Sequence, residues 1–258
     1  MTALAPDAGN AAPPVRRVLA QARFEVAGVL RNGEQLLLLA ILPALVLVGL
    51  TRTSVVAVET GGLPRVDVVA PGVLALAVMS TAFTSQAIAT AFDRRAGVLR
   101  LLATTPLGRG GLLAGKAGAV VVVEAMQLMV LGGLALVLGW APDLAGLPGA
   151  ALAVVLGTAA FVGLALLMAG TMRAEAVLGA ANLVWVLLLV GGGVVVPLDQ
   201  LPGAWATVAG LLPSGALAQA LRIAFVEGGG AALAGPLAVL TGWAVVAGLA
   251  ARRLFRWS

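Results

Sequence analysis

FDRRAGVLRLLATTPLGRGGLLAGK, residues 92–116, is the longest polar interruption in the first two-thirds of an otherwise lipid-like chain. Five of the sixteen basic residues sit in it: Arg94, Arg95, Arg100, Arg109 and Lys116. Long apolar runs flank it on both sides. Arginine inside a bilayer is costly, so the stretch reads as a cytosolic helix and turn joining two membrane spans. Residues 93–105 carry the helix. Val98, Leu99, Leu101 and Leu102 cover one half of it, Asp93, Arg100 and Thr104 gather on the other, and Arg94 and Arg95 intrude at the apolar edge. Pro106 ends it, and Gly108, Gly110 and Gly111 turn the chain back.

The surrounding composition demands a membrane. Hydrophobic residues make up 61% of the 258 and charged ones 10%, with a mean hydropathy of +1.07. Charge this sparse, gathered between apolar runs of about 20 residues, suits an all-α integral membrane protein. The chain has no Cys and no His. Thiol nucleophiles, Cys or His metal sites and a Ser–His–Asp arrangement are therefore excluded, and no metal site is expected. The net charge is +5, but no soluble basic face exists to hold nucleic acid.

In chain order, residues 1–14 are small, contain proline and are expected to be disordered. From there to residue 258 the chain reads as a single transmembrane domain. Over residues 15–31, Val15, Val18, Leu19, Ala22, Val26, Val29 and Leu30 fall in one arc, which predicts a basic amphipathic helix lying on the membrane surface. Six spans follow, at about 36–55, 68–92, 117–140, 147–171, 177–196 and 231–251, with Pro43 a kink in the first. With both termini cytosolic, thirteen of the sixteen basic residues lie inside, and only Arg52, Arg65 and Arg222 lie outside. Residues 198–226 are apolar but broken by Pro202 and Pro213, just after Pro197. They predict two short helices re-entering the outer leaflet, with Trp205 near the interface. A seventh span is the alternative, against which Pro213 at its centre argues.

Two motifs carry a family resemblance. Asp93-Arg94-Arg95-Ala96-Gly97-Val98-Leu99-Arg100 is followed by Leu102, Thr105-Pro106-Leu107 and Leu112-Leu113-Ala114-Gly115-Lys116. Leu201-Pro202-x-x-Trp205 is followed by Leu212-Pro213 and Ala220-Leu221-Arg222. With the six-span pattern, these resemble the membrane subunit of type-two ABC exporters, the permease family that includes the daunorubicin-resistance permeases. The resemblance covers about residues 15–258. It implies a permease with no cofactor of its own, working in an inner membrane. Its partners would be two copies of an ABC ATPase that hold ATP and Mg, a second copy of this permease or a homologous one, and membrane lipid. The cargo would be amphipathic, drug-like or lipid-linked, and export would proceed by alternating access.

The resemblance also implies roles for residues. Asp93, Arg94, Arg95, Gly97, Leu99, Leu101, Leu102 and Pro106 would couple to the ATPase, and Pro202, Trp205, Pro213 and Arg222 would belong to the outer re-entrant segment. The chain departs from the family pattern at three places: Asp93 stands where Glu is usual, and Arg95 and Arg100 stand where acids are common.

Other features weigh for and against further sites. Gly110-x-x-x-x-Gly115-Lys116 mimics a phosphate-binding loop, but Ala117 stands where Ser or Thr should hold magnesium, and a span follows. Glu124 and Gln127 lie within the third span. Glu124, with Gln127 and Gln86, either lines a substrate path or dimer seam, or Glu124 is a structural residue, protonated or paired with Gln86. Arg173 and Glu175 mark a short cytosolic turn, with Glu175 placed to meet the 93–105 helix. Gly157, Gly163 and Gly170 predict close helix packing. An intramembrane enzyme lacks its constellation here, and a non-ABC secondary transporter would concentrate ionisable groups at the midplane. A membrane assembly partner without transport activity is the remaining alternative.

Overall fold

The computed structural model describes residues 12–33, 37–53 and 58–256. Residues 1–11 of the expected disordered start, and Leu36, Ser54 and Val55 at the ends of the first expected span, lie outside them. Helix α1 is Pro14–Arg31. A π turn, Leu37–Ile41, runs into α2, Leu42–Arg52. Helix α3, Arg65–Arg95, is one 31-residue rod with a π turn at Ser80–Ser85. The short α4, Val98–Ala103, leads to α5, Gly108–Val137. Then come α6, Leu147–Thr171, and α7, Ala174–Gly191. A bent pair, α8 (Ala204–Leu211) and α9 (Pro213–Val226), precedes α10, Ala234–Leu254. Helices α3, α5, α6, α7 and α10 are long and apolar enough to cross a membrane. The chain is an all-α integral membrane protein.

The first expected span comes out short. Its π turn of five residues and α2 of eleven reach about 24 Å, against about 30 Å of hydrocarbon. Pro43, with its missing N–H, sits at the start of α2 directly after the π turn. That N–H would have gone to the carbonyl of Leu39, four residues back. The Gln127 amide of α5 donates to Leu39 instead.

Helix α3 is the central post, buried from Val68 through Met79. At 31 residues it measures about 46 Å, longer than about 30 Å of hydrocarbon, and Arg94 and Arg95 sit in its last turn. Helix α5 begins at Gly108, nine residues before the expected start. Only Gly108 makes the turn, at φ 67°, whereas Gly110 and Gly111 are helical. The reason is packing. A Cβ on Gly115 would lie 2.6 Å from Cγ of Gln21, so this glycine face lets α1 lie directly on α5. The apolar arc of α1 is accordingly divided. Ala22, with the polar Gln21 beside it, is buried, while Val15, Leu19 and Leu30 stay exposed for lipid.

The glycines of α6 pack as their spacing predicts. Gly157 receives Leu217, Gly163 receives Ala247, and Gly170 receives Phe255. Helix α7 stops at Gly191, five residues early, where Gly193 at φ 66° takes the chain out of helix.

The bent pair turns by 93° between α8 and α9, with Pro213 opening the second helix at the break. Its apex lies deep, since Trp243, in the middle of α10, donates to the Leu211 carbonyl at 2.8 Å. Both outer ends return to the same end of the bundle. Gln200 exchanges two hydrogen bonds with the Glu59 backbone, and the Asp143 N–H donates to Phe225 at 2.8 Å. This end carries Glu59, Asp67, Asp143, Asp199 and Glu227. The basic residues of the 92–116 stretch lie at the opposite end.

Candidate functional site

At the basic end, the 93–105 helix expected from the sequence is divided. Asp93, Arg94 and Arg95 are the last turn of α3, and Gly97 at φ 76° breaks the helix before α4 begins at Val98. Only glycine takes that left-handed backbone conformation without strain. The division separates the candidate coupling residues into two groups.

The first group bonds within the chain, Arg95 while remaining 60% exposed. Lys116, 3% exposed, reaches Asp93 at 2.6 Å and Glu25 at 2.9 Å, tying α5 to the end of α3 and to α1. Gln21 donates to the same Glu25 carboxylate at 2.8 Å. The apparent phosphate-loop lysine is thus a structural tie. Arg94 donates to the carbonyls of Gly170, at 2.8 Å, and Met172, satisfying the end of α6, where helix carbonyls lack partners and the dipole is negative. Arg95 pairs with Glu175 at the start of α7, so Glu175 meets the residues expected of it. Leu99 is 2% exposed and anchors α4 to the bundle.

The second group faces out. Val98, Arg100, Leu101, Thr104 and Pro106 are exposed, Leu101 by 69%, and Leu102 is half-buried. The apolar half expected of this helix is therefore only partly used by its own chain. Thr104 and Thr105 donate to the carbonyls of Leu101 and Leu102, closing α4 before Pro106. Arg17 of α1 donates to the Pro106 carbonyl and fixes the turn. The product is a short, anchored helix offering an apolar tip flanked by an arginine.

In the bundle interior, Glu124 does not meet Gln86. Glu124 accepts from Thr158 of α6 at 2.6 Å, while Gln86 donates along its own helix to Thr90 at 3.0 Å. The two side chains leave α5 and α3 toward different neighbours. Gln127 accepts from Thr81 at 2.8 Å while donating to Leu39, so it joins α5 to α2 and α3. No sequence signal marked Thr158, because a lone threonine in an apolar helix is common.

Glu124 also forms part of the floor of a cavity of about 510 Å³ between α5, α6 and α9, which extends to Trp140 and Phe225 at the acidic end. A second cavity, about 640 Å³, lies between α2, α3 and α7 and is lined by Ser80, Thr84, Asn182 and Trp185 among apolar residues.

The outer segment is held by Arg222. It is 7% exposed and donates to the carbonyls of Gly193 at 2.8 Å and Val194 at 2.6 Å, the unwound backbone after α7. Gly72 of α3 makes room for this junction. Pro202 and Trp205 stay exposed, Trp205 by 46%, on the outward side of α8.

No curated protein matches the chain. The sequence model of the ABC-2 type transporter family matches residues 15–226, the segment that holds α1, the anchored tip, both cavities and the bent pair, and the chain belongs to that family.

Proposed function

We propose that this membrane subunit of an ABC transporter works as an exporter driven by a separate ATPase chain. In this reading the basic end is cytosolic, and α4 is the lever on which the ATPase acts. The observation that carries the reading is the division at Gly97. It leaves Val98, Arg100, Leu101 and Pro106 facing outward from a helix whose root is locked by Lys116, Arg94 and Leu99. An exposed apolar tip on a rigid base suits insertion into a groove of a partner. The partner would hold ATP and Mg, and two copies of each chain would form the working assembly.

Nucleotide binding would draw the ATPases together, and the locked base would pass that movement into α3, α5 and α6. Coupling of this kind needs the two states to differ in their contacts with the tip. An amphipathic, drug-like or lipid-linked cargo suits the apolar walls of both cavities.

The test uses the co-purified complex reconstituted in liposomes. Leu101→Asp and Arg100→Glu are expected to lower transport-coupled ATP hydrolysis about ten-fold or more, the scale of losing one interface anchor. Neither side chain holds the fold, so the permease should remain intact. Wild-type hydrolysis and transport in both variants would sink the reading.

A further inference from the structure

The cavity between α5, α6 and α9 has one chemical property that its walls do not explain. Its lining is apolar almost throughout, including Leu74, Met129, Leu136, Leu221 and Phe225. Yet it contains Glu124, whose carboxyl group is 2% exposed: its Oε2 accepts from Thr158, while Oε1 has no hydrogen-bond partner among the described residues. The described ion pairs lie at the basic end and none includes Glu124. An acid enclosed among hydrocarbon with a free oxygen is unfavourable unless something supplies a donor or a positive charge. At the other end of the cavity, Trp140 is 8% exposed and its Nε1 also has no partner among the described residues.

We infer that this cavity binds a lipophilic amine from the membrane, with its ammonium group on Glu124 Oε1 and its hydrocarbon chain along α5 toward Trp140. Charge complementarity selects this occupant. An ammonium group pairs with the carboxylate and donates to the free oxygen, whereas a fatty acid would bring a second acid to the first. The volume of about 510 Å³ falls in the range of small-molecule sites, about 300–1,000 Å³. The Trp140 N–H offers a donor to an oxygen on the far part of the ligand. Gly132 of α5 lines the cavity, and a Cβ built on it meets none of the described residues within 4 Å, so the wall there is open space rather than packed protein. The inference goes beyond the exporter reading and does not depend on the ATPase.

The test uses the full chain in nanodiscs of neutral lipid. The probes are octadecylamine, octadecanol and stearic acid, each bearing a diazirine in the chain. The expected result is preferential crosslinking of the amine to α5 and α6 peptides around residues 121–136 and 151–158. Glu124→Gln should reduce amine labelling about ten-fold, the equivalent of one charge-assisted hydrogen bond, and bring it level with the alcohol. Gly132→Phe should block all three probes by filling the space without touching Glu124. Thr158→Val should keep the preference for the amine, because Oε1 remains. Equal labelling by all three probes in the wild type, unchanged by Glu124→Gln, would mean ordinary annular lipid and overturn the proposal. So would Met129→Cys forming a disulfide between two copies, which would make this face a protein interface.

Discussion

Lys116 is enclosed to 3% exposure, while its two carboxylate partners keep part of their surface in water. Replacing it by methionine would preserve the packing volume and leave Asp93 and Glu25 without a cation between them. Breaking a fully buried pair costs about 3–5 kcal/mol, and the partial exposure of the acids brings the expectation here to about 2 kcal/mol. Thermal unfolding in detergent should show Lys116→Met clearly destabilised and Lys116→Arg much less so. A Lys116→Met protein as stable as wild type would remove the structural role assigned to this residue. In the sequence Lys116 stands out in the basic stretch and in a phosphate-loop mimic that Ala117 rules against, neither of which shows its partners. Its actual partners lie 23 and 91 positions away, where only the packing of α1 on α5 brings Glu25 within reach. Asp93 and Arg94, expected to couple to a partner, tie α5 to α3 and hold the end of α6.

Glycine in a helix interior ordinarily weakens it by about 1 kcal/mol relative to alanine, so Gly108, Gly110 and Gly111 read naturally as a turn. Packing overrides that preference, because Gly111 and Gly115 accept side chains of Leu107 and Gln21 where a Cβ would collide. Gly115→Leu should therefore lift α1 off α5. Limited trypsin digestion is expected to cut at Arg16, Arg17 and Arg23 at least about ten-fold faster, reflecting a more populated open state. Gly132→Ala, where none of the described residues lies within 4 Å of the added carbon, serves as the control and should leave the digestion unchanged. Equal digestion of Gly115→Leu and wild type would refute the packing account. The apolar runs themselves were legible, since about 20 uninterrupted residues leave few other folds. The short first span, the π turns and the early start of α5 were not. Each depends on a neighbour, as the bond from Gln127 to Leu39 shows beside Pro43.

For the molecule as a whole, the charge asymmetry that suggested the topology reappears as two chemically different ends. The absence of cysteine makes this testable with single introduced thiols. Thr104→Cys and Arg253→Cys, both exposed at the basic end, should react with a membrane-impermeant maleimide from the cytosolic side only. Glu227→Cys, just after α9, should react from the opposite side only. Labelling of Glu227→Cys from the cytosolic side would mean that α8 and α9 cross the membrane rather than dip and return. The bent pair was legible because three prolines interrupt an apolar run. Its anchorage by Arg222 on Gly193 and Val194 was hidden, because carbonyls freed by unwinding leave no mark in a sequence. The break at Gly97 has a last consequence, for how such a chain can change over time. The side chains that secure α4 and those that face outward are different residues, so the outward set is free to drift while the fold is maintained. Two related chains could then share one architecture and recognise different motors, with the difference confined to a few positions on a six-residue helix.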